Sequence, residues 1–496
     1  HDISFFIRPF FENREASSLD SNNPQIHFSG DHILAGEYSM RPLEECNLIK
    51  GEESKRIYLH KEAEYGMEKF FLDVFSPSYY RIDSSHNIKL DLEFCFDGDL
   101  KEQSAIPRRE CSDRHMNYLS EFSRNFIVSD NENTYIMAGY PWFGPWGRDT
   151  FISLPGLLIY HKEYKIAENI IDSYCRLIKD GIIPNVVTDT SDILYNTADA
   201  SLWLINSIYL LYIMSGERRI ADKYYSLINN IVFKYRIGTF NNIFMDKADL
   251  LISAGSPHTQ LTWMDASRDG VVFTPRYGKT VEINALWYNS ICIFQFFSGL
   301  IGESSNSLSL FRLSEKIRSN FMYRFWNDEK KYLNDYISTD SSINSQLRPN
   351  QLYALSLPFP VVNDKDIADA ILNQCEKLLT PNGVRTLSPD HSDYKGEYCG
   401  NWFERDSAYH QGTAWSFLYP VYIEALLKRH RDDKTMKEEI RKRLQDYTHK
   451  NIYRACVGYL PEIWNGSAPY IPHGTPAQAW STAEMLRVWF MYFENN

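Results

Sequence analysis

The hydrophobic pattern divides the chain into two parts. In the first part, short alternating runs such as I-S-F-F-I-R-P-F and K-L-D-L-E-F-C-F are separated by clusters of Asn, Ser, Gly, Asp and Pro. Alternation with a period of two residues is typical of strands that bury one face. We therefore predict a smaller, β-sandwich-like region over residues 1–110. Because strand signals begin at residue 3 and the chain opens at His1 without Met, we expect that processing or truncation removed an upstream segment.

From about residue 113 the apolar positions recur at helical spacing. The pattern predicts twelve helices, at 113–128, 146–162, 164–180, 197–215, 217–235, 281–302, 306–325, 349–358, 364–379, 412–428, 433–449 and 476–493. Short turns join the members of each pair, and longer irregular segments separate the pairs. This alternation predicts a mainly α domain over residues 111–496, in which six hairpins close into an (α/α)6 barrel. A superhelical solenoid would also stack hairpins, but it would show a repeated sequence, and none is visible.

Every second predicted helix is introduced by a polar and aromatic signature. The six signatures are W-G-R-D-T at 146–150, Y-N-T-A-D-A at 195–200, K-T-V-E-I-N at 279–284, R-P-N-Q at 348–351, Y-H-Q-G-T at 409–413 and T-P-A-Q-A-W at 475–480. In a closed ring these helix starts share one rim, where free backbone N–H groups suit hydroxyl oxygens. Six ordinary capped helix starts are the alternative. Caps do not require Trp146, Arg148, Trp480 and His410 in addition, so the pattern favours one shared cavity.

Composition narrows the class of ligand. The net charge is −12 and no basic stripe is present to meet phosphates, which argues against nucleic acid and gives no reason to expect a membrane partner. Aromatic residues make up 15% of the chain, and many fall in polar loops rich in Gly and Pro. That pattern suits stacking against a neutral ring such as a sugar.

Other sequence features bear on compartment and cofactors. The most apolar run, residues 202–214, is too short to span a bilayer. The eight cysteines include no C-x-x-C pair, which predicts reduced thiols in a cytoplasmic protein and no metal site. No H-E-x-x-H, G-x-S-x-G or Gly-rich phosphate loop is present.

Two of the long segments carry carboxyl groups in unusual surroundings. Asp265 follows Trp263 with no basic residue before Arg268, and an indole beside a carboxyl group disfavours the charged form. Glu462 lies between Pro and Ile in G-Y-L-P-E-I-W-N-G, where a buried carboxylate is costly unless it is used or paired. Two carboxyl groups facing each other across a sugar meet the requirement of glycoside hydrolysis. The alternatives are that Asp265 caps a turn, or that Asp269, itself expected in a turn, is the acid.

Seven motifs make the chain resemble the amylo-α-1,6-glucosidase domain of glycogen debranching enzymes of the bacterial and archaeal type. They are A-G-Y-P-W-F-G-P-W-G-R-D-T-F-I-S-L-P-G-L (138–157), Y-N-T-A-D-A-S-L-W (195–203), T-W-M-D-A (262–266), T-P-R-Y-G-K-T-V-E-I-N-A-L-W-Y-N (274–289), Y-H-Q-G-T-A-W (409–415), G-Y-L-P-E-I-W-N-G (458–466) and P-A-Q-A-W-S-T-A-E-M-L-R (476–487). The resemblance covers residues 110–496. It implies an (α/α)6 barrel that removes single α-1,6-linked glucose residues from trimmed branch points of glycogen or related α-glucans, with inversion.

The same resemblance implies roles for individual residues. Asp265 matches the general acid and Glu462 the general base, and neither a metal nor an organic cofactor is implied. The positions that match the glucose pocket are Trp146, Arg148, Asp149, Asp199, Trp263, Glu282, Asn284 and His410. For Asp199 and Glu282, a helix-capping or network role is an equal alternative to sugar contact.

Several functions remain open at the level of sequence. A glucoamylase-like hydrolase of α-1,4 ends, or another α-glucoside hydrolase, would use the same barrel. A phosphorylase is disfavoured because it would replace the base with a phosphate site. A non-catalytic glucan-binding protein is disfavoured because both carboxyl groups are present. The chain leaves no room for the transferase region of eukaryotic debranching enzymes, so we expect that a partner trims the branches or that the substrate carries another single-glucose substituent.

Overall fold

A computed structural model describes residues 109–129, 133–187 and 193–494, together with the backbone of seven strands between residues 3 and 96. The chain divides into two compact units. The first comprises residues 1–106 and 400–402, and the second comprises residues 107–399 and 403–496.

The first unit contains two antiparallel sheets. Its strands are β1 (Ile3–Ile7), β2 (Ile26–Ser29), β3 (His32–Ala35), β4 (Tyr38–Pro42), β5 (Asn47–Tyr58), β6 (Phe71–Ser84) and β7 (Leu92–Phe96). One sheet has the order β1-β6-β5 and the other β2-β3-β4-β7. The two alternating runs singled out in the sequence lie in β1 and β7. That the two sheets pack as a sandwich stays a prediction.

The second unit is mainly helical. Its helices are α1 (Arg114–Ser123), α2 (Gly147–Leu154), α3 (Tyr164–Arg176), α4 (Ala200–Ser215), α5 (Arg218–Ile237), α6 (Val281–Ile301), α7 (Ser304–Phe325), α8 (Tyr353–Ser356), α9 (Lys365–Glu376), α10 (Trp402–Tyr409), α11 (Leu418–Arg429), α12 (Lys434–Asn451) and α13 (Ala479–Tyr492). A π-helical turn, Pro155–Ile159, extends α2, and a 3-10 turn, Pro349–Leu352, precedes α8. In the part of the chain that the structure describes, no helix is long and apolar enough to cross a membrane.

The twelve predicted helical segments each contain a helix, with three differences. Helix α8 is short because Pro358 disfavours helical backbone at the residue before it, and Leu357 is extended. Helix α11 begins six residues later than predicted because Ala414 and Trp415 form a strand instead. Helix α10 was not predicted and lies within a long connecting segment.

Six helices follow one another around a common core. Helices α2, α4, α6, α8, α11 and α13 each contact the next, and α13 contacts α2. The remaining long helices pack on the outside of this succession, for example α7 against α6 and α12 against α11. Burial follows the same division: α6 buries 16 of its 21 residues, whereas α12 buries five of 18. A helix buried on all sides is typical of an inner position, and a single apolar stripe is typical of an outer one.

Short strands lie within the segments that connect the helices of the second unit. They are β8 (Ile127–Ser129), β9 (Thr134–Ile136), β10 (Gly139–Tyr140), β11 (Val186–Val187), β12 (Ile193–Leu194), β13 (Phe244–Met245), β14 (Ile252–Ser253), β15 (Ser267–Arg268), β16 (Val271–Val272), β17 (Lys279–Thr280), β18 (Trp326–Asn327), β19 (Tyr332–Leu333), β20 (Tyr336–Ile337), β21 (Ile343–Asn344), β22 (Leu379–Thr380), β23 (Gly383–Arg385), β24 (Ala414–Trp415), β25 (Ile463–Trp464), β26 (Pro472–His473) and β27 (Ala477–Gln478). Strands β22 to β26 form one antiparallel sheet in sequence order, and β10 pairs with β27. These pairings bring the segments before α2, α11 and α13 together.

Candidate active site

A pocket lies where the N-terminal ends of α2 and α13 meet the connecting strands. Its empty space, including the part that is open to solvent, is about 570 Å³. Six aromatic side chains, three carboxyl groups, one Arg and one Gln line it: Phe143, Trp146, Arg148, Asp149, Trp263, Asp265, Tyr409, Trp415, Glu462, Gln478 and Trp480. Aromatic walls with a few convergent polar groups are the usual composition of a ligand site.

Arg148 organises one side of the pocket. In the first turn of α2, its Nε donates to both carboxylate oxygens of Asp199, at 3.0 and 2.8 Å. Its Nη1 donates to Asp265 Oδ2 at 2.9 Å. Its Nη2 has no hydrogen-bond partner among the described residues, although the side chain is buried. A buried donor without a partner is costly, so Nη2 is suited to a ligand hydroxyl or carboxylate oxygen.

Asp265 lies at the edge of this pocket, with 27% of its side chain exposed. Burial raises the pKa of Asp265, and the guanidinium of Arg148 opposes that shift. The sequence indicated no cation closer than Arg268, but folding brings Arg148 to Asp265 from 117 residues away. Asp269, the rival acid, is an exposed turn residue with a φ of +52° and is not among the pocket-lining residues.

Glu462 is buried on the opposite segment, directly before β25. Tyr409 Oη donates to Glu462 Oε1, and the backbone N–H of Thr475 donates to Glu462 Oε2 at 3.0 Å. Burial raises the pKa of Glu462 to about 7, against the two hydrogen bonds, and the charge of Asp265 adds to the rise. Gly474 is required beside it, because a Cβ there would lie 2.2 Å from Glu462 Oε2 and its φ is +64°.

Asp149 is the third carboxyl group of the pocket. Burial raises the pKa of Asp149 to about 8, opposed by Arg148 and reinforced by the charges of Asp265 and Glu462. Gln478 Nε2 lies 3.5 Å from Asp149 Oδ1. Asp149 is therefore mostly protonated at neutral pH in the free protein, and it presents both a donor and an acceptor to the pocket.

The aromatic residues form a continuous wall. The indole of Trp263 packs edge-to-face against Trp415 at 5.2 Å, and its Nε1 donates to Asn350 Oδ1 at 2.8 Å. Trp480 continues the wall, 5.8 Å from Trp415, and its buried Nε1 lacks a partner among the described residues. Flat aromatic faces with a free N–H suit a ring that carries hydroxyl groups.

Four predicted pocket residues lie outside the lining. Asp199 acts on Arg148, as described above. His410 is buried behind the wall, stacked on Trp415 at 5.3 Å, and burial with nearby arginines lowers its pKa far enough to keep the ring neutral. Glu282 accepts hydrogen bonds from Arg276, and Asn284 bonds to the backbone of β14 and Thr280. In the free protein these last two side chains bond to buried connecting segments, and a sugar contact by either of them stays a prediction.

Several lining residues were absent from the predicted site. Tyr409, Trp415 and Gln478 lie in motifs that the sequence analysis quoted, but nothing local marked them as facing the cavity. Trp480 counted there as a sign of a shared cavity but was not assigned to the sugar pocket. Phe143 packs edge-to-face on Trp146 at 6.1 Å and belongs to the motif that begins at residue 138. Aromatic density in those motifs was the available signal.

The arrangement can perform acid–base chemistry on a neutral, hydroxylated ligand. Three carboxyl groups with raised pKa values share one cavity, and one of them titrates near neutrality. Carboxyl groups whose surroundings separate their pKa values can divide acid and base roles. In the part of the chain that the structure describes, no group of three His, Cys, Asp or Glu side chains could hold a metal ion.

Comparisons with known proteins give the family. The sequence model described as amylo-alpha-1,6-glucosidase matches residues 117–487. The glycogen debranching enzyme of Saccharomyces cerevisiae is 24% identical over 477 residues, which cover 75% of this chain and 31% of the yeast protein. The chain therefore spans about a third of the length of that relative.

Two solved structures resemble the fold. A rhamnosidase from Klebsiella oxytoca with rhamnose bound superposes with a TM-score of 0.54 at 11% identity, covering 99% of this chain and 96% of its own. An uncharacterized conserved protein from Thermus thermophilus gives a TM-score of 0.56 at 10% identity, covering 74% of this chain and 99% of its own. At these identities the likeness concerns the fold alone.

Proposed function

Because the chain belongs to the amylo-α-1,6-glucosidase family, we propose that it removes single α-1,6-linked glucose residues from trimmed branch points of an α-glucan, with inversion. The family and the yeast relative support a glycoside hydrolase of the glycogen-debranching type. The linkage, the stereochemistry and a cytoplasmic location are parts of the proposal. The location rests on the cysteine pattern.

The observation that carries the proposal is the convergence of Asp265 and Glu462 on one aromatic pocket. The two residues are 197 positions apart in sequence, yet both line the cavity, and the charge of Asp265 raises the pKa of Glu462. Inverting hydrolysis requires one carboxyl group on each side of the sugar, with room for a water molecule between base and anomeric carbon. We predict a carboxyl–carboxyl separation of roughly 6.5–9.5 Å with substrate bound.

The proposed mechanism uses these groups in one step. Asp265 protonates the glycosidic oxygen as the bond to the anomeric carbon breaks. Glu462 accepts a proton from the water molecule that attacks that carbon from the opposite face. Arg148 Nη2, Asp149 and Trp480 Nε1 would bind the hydroxyl groups of the terminal glucose. The cyclic order of helix contacts supports an (α/α)6 barrel as the scaffold.

One observation favours a second assignment of roles. In the free protein Arg148 stabilises the charged form of Asp265, whereas the pKa of Glu462 is raised to about 7. These electrostatics would suit Glu462 as the acid and Asp265 as the base. The resemblance implies the reverse, and we keep it because a bound sugar would compete for Arg148 and release Asp265.

Two substrates separate the alternatives. We expect Asp265→Asn and Glu462→Gln each to lower kcat on an α-1,6-glucosyl maltooligosaccharide by about 10²–10⁴-fold. Glucosyl fluoride needs no protonation of its leaving group, so Asp265→Asn should retain most activity on it and Glu462→Gln should not. Asp269→Asn, an exposed turn residue near Asp265, is the matched control. If Glu462→Gln instead of Asp265→Asn keeps its activity on glucosyl fluoride, the acid and base roles are reversed. If all three variants are as active as the wild type, the proposal is refuted.

Linkage preference needs a separate comparison. A glucoamylase-like enzyme would release glucose from linear maltooligosaccharide, and the proposed enzyme would not. Because the chain spans about a third of the yeast relative, trimming of the branch to one glucose would come from another enzyme or another part of a longer protein.

A further inference from the structure

The residues that follow Asp265 form a tight hairpin. Strands β15 and β16 pair antiparallel, and the two residues between them, Asp269 and Gly270, have φ values of +52° and +77°. Two positive φ values in a two-residue loop are the hairpin turn whose twist matches the flanking strands. The N–H of Phe273 donates to the carbonyl of Ala266 at 3.3 Å, which closes the hairpin one residue after Asp265. The hairpin therefore begins directly after Asp265 in the chain.

This hairpin contacts α10 at two points, through Arg268 in β15 and through Phe273 directly after β16. Arg268 Nε donates to Asp406 Oδ2, and the ring of Phe273 packs edge-to-face on Phe403 at 4.9 Å. Just beyond α10, Gln411 Nε2 donates to the carbonyl of Phe273 at 2.9 Å. The ion pair is partly buried, with 35% of Arg268 and 17% of Asp406 exposed.

Helix α10 ends at the residue that holds Glu462. Asp406 lies one turn before Tyr409, and Tyr409 Oη donates to Glu462 Oε1. A continuous path of contacts thus joins Asp265, the hairpin, α10 and Glu462. The two ends of the path line the pocket, but its middle does not, because neither Arg268 nor Asp406 lines the cavity.

We propose that the Arg268–Asp406 ion pair is a positioning contact that fixes the segment of Asp265 relative to the helix that holds Glu462. The inference rests on the proposed function, since inversion depends on a set separation of acid and base. A displacement of about 1 Å in a catalytic group can cost 10²-fold in rate. Arg268 and Asp406 act through other residues and are positioning residues, not catalytic ones.

The test is a double-mutant cycle on turnover of an α-1,6-glucosyl maltooligosaccharide. We expect Arg268→Ala and Asp406→Ala each to lower kcat about tenfold with KM nearly unchanged, because geometry rather than binding is lost. The double variant should lose no more than either single one. Arg268→Lys keeps the charge and should lose less. Thermal unfolding of each variant verifies that it is folded.

A matched control lies elsewhere in the same unit. Arg429 and Asp369 form an ion pair of similar exposure, 21% and 40%, away from the pocket. Arg429→Ala and Asp369→Ala should leave kcat unchanged. A pure stability effect would lower the unfolding temperature of both sets of variants without separating their kcat values.

Three results would overturn the positioning contact while leaving the proposed function intact. They are unchanged kcat in both single variants, additive losses in the double variant, and an increase in KM alone for Arg268→Ala, which would indicate a direct contact with substrate. If the wild-type protein releases no glucose, the proposed function fails, and the positioning contact fails with it.

Discussion

The hydrogen bond from Tyr409 to Glu462 offers a quantitative prediction. This bond lowers the pKa of Glu462 in the folded protein, and Tyr409→Phe removes it while leaving the ring in the aromatic wall. A hydrogen bond to a charged group contributes about 1.5–3 kcal/mol, and about 1.36 kcal/mol corresponds to one pKa unit. The pKa of Glu462, about 7 in the wild type, should therefore rise by about one to two units.

The consequence for a general base follows from its charged fraction. At pH 7 the deprotonated fraction of Glu462 would fall from about one half to between about 1 and 10%, so kcat/KM should drop about 5- to 50-fold. Above pH 9 the ratio of variant to wild type should approach one, because the base is again deprotonated in both. The titration of Asp265 affects kcat/KM of both proteins equally, so it cancels in the ratio of variant to wild type.

The assay is kcat/KM of the variant and the wild type from about pH 6 to about pH 10, since this constant reports the pKa values of the free enzyme. Tyr447→Phe is the control, because it removes a buried hydrogen bond of 2.6 Å to the carbonyl of Asn382, away from the carboxyl groups. A ratio that stays constant with pH would refute the reasoning. A ratio above one at pH 7 would mean that Glu462 acts as the acid.

Three further predictions concern the rest of the pocket. Burial holds the pKa of Asp149 near 8, so Asp149→Asn should retain most of the wild-type kcat/KM at pH 6, whereas Asp149→Leu should lose at least about tenfold. Gly474→Ala places a Cβ 2.2 Å from Glu462 Oε2, and we expect kcat to fall about tenfold or more without a comparable change in KM; wild-type kcat would contradict this. Trp480→Phe removes a free N–H in the pocket and should raise KM about 5- to 10-fold; an unchanged KM on the branched substrate would exclude a sugar contact.

Much of the helical architecture was accessible from the sequence because helical periodicity is a local property. The polar and aromatic starts of α2 and α13 indicated helix ends that share a common rim. Helix α10 was not predicted because it is short and lies in a long polar segment. The start of α11 was misplaced because strand β24 depends on partners in β23 and β25 that local sequence does not reveal.

The residues of the candidate site were predictable where their position at a helix start sets the direction of the side chain. Trp146, Arg148 and Asp149 line the pocket because they begin α2, and the helix start fixes their direction. Glu282 also begins a helix, but Arg276 donates to both Glu282 and Asp335 in a buried ion-pair network. Whether a polar residue at a helix start lines the pocket or joins a buried ion pair depends on charged residues distant in the sequence.

Hydrogen-bond partners that are distant in the sequence were the main feature of the site that the sequence did not predict. Tyr409 bonds to Glu462 across 53 positions of sequence, and Arg148 reaches Asp265 across 117. Both contacts set the charge state of a proposed catalytic carboxyl group. Such contacts depend on the closed succession of helices and strands, which only the folded chain provides.

The most direct test of the central claim is the anomer of the first glucose released. Proton NMR during early turnover of an α-1,6-glucosyl maltooligosaccharide, with a linear maltooligosaccharide alongside, distinguishes both stereochemistry and linkage. We predict β-glucose, from the branched substrate alone. Initial α-glucose would mean retention and would contradict the role of Glu462 as a base acting through water. Release from the linear substrate instead would identify a glucoamylase-like enzyme.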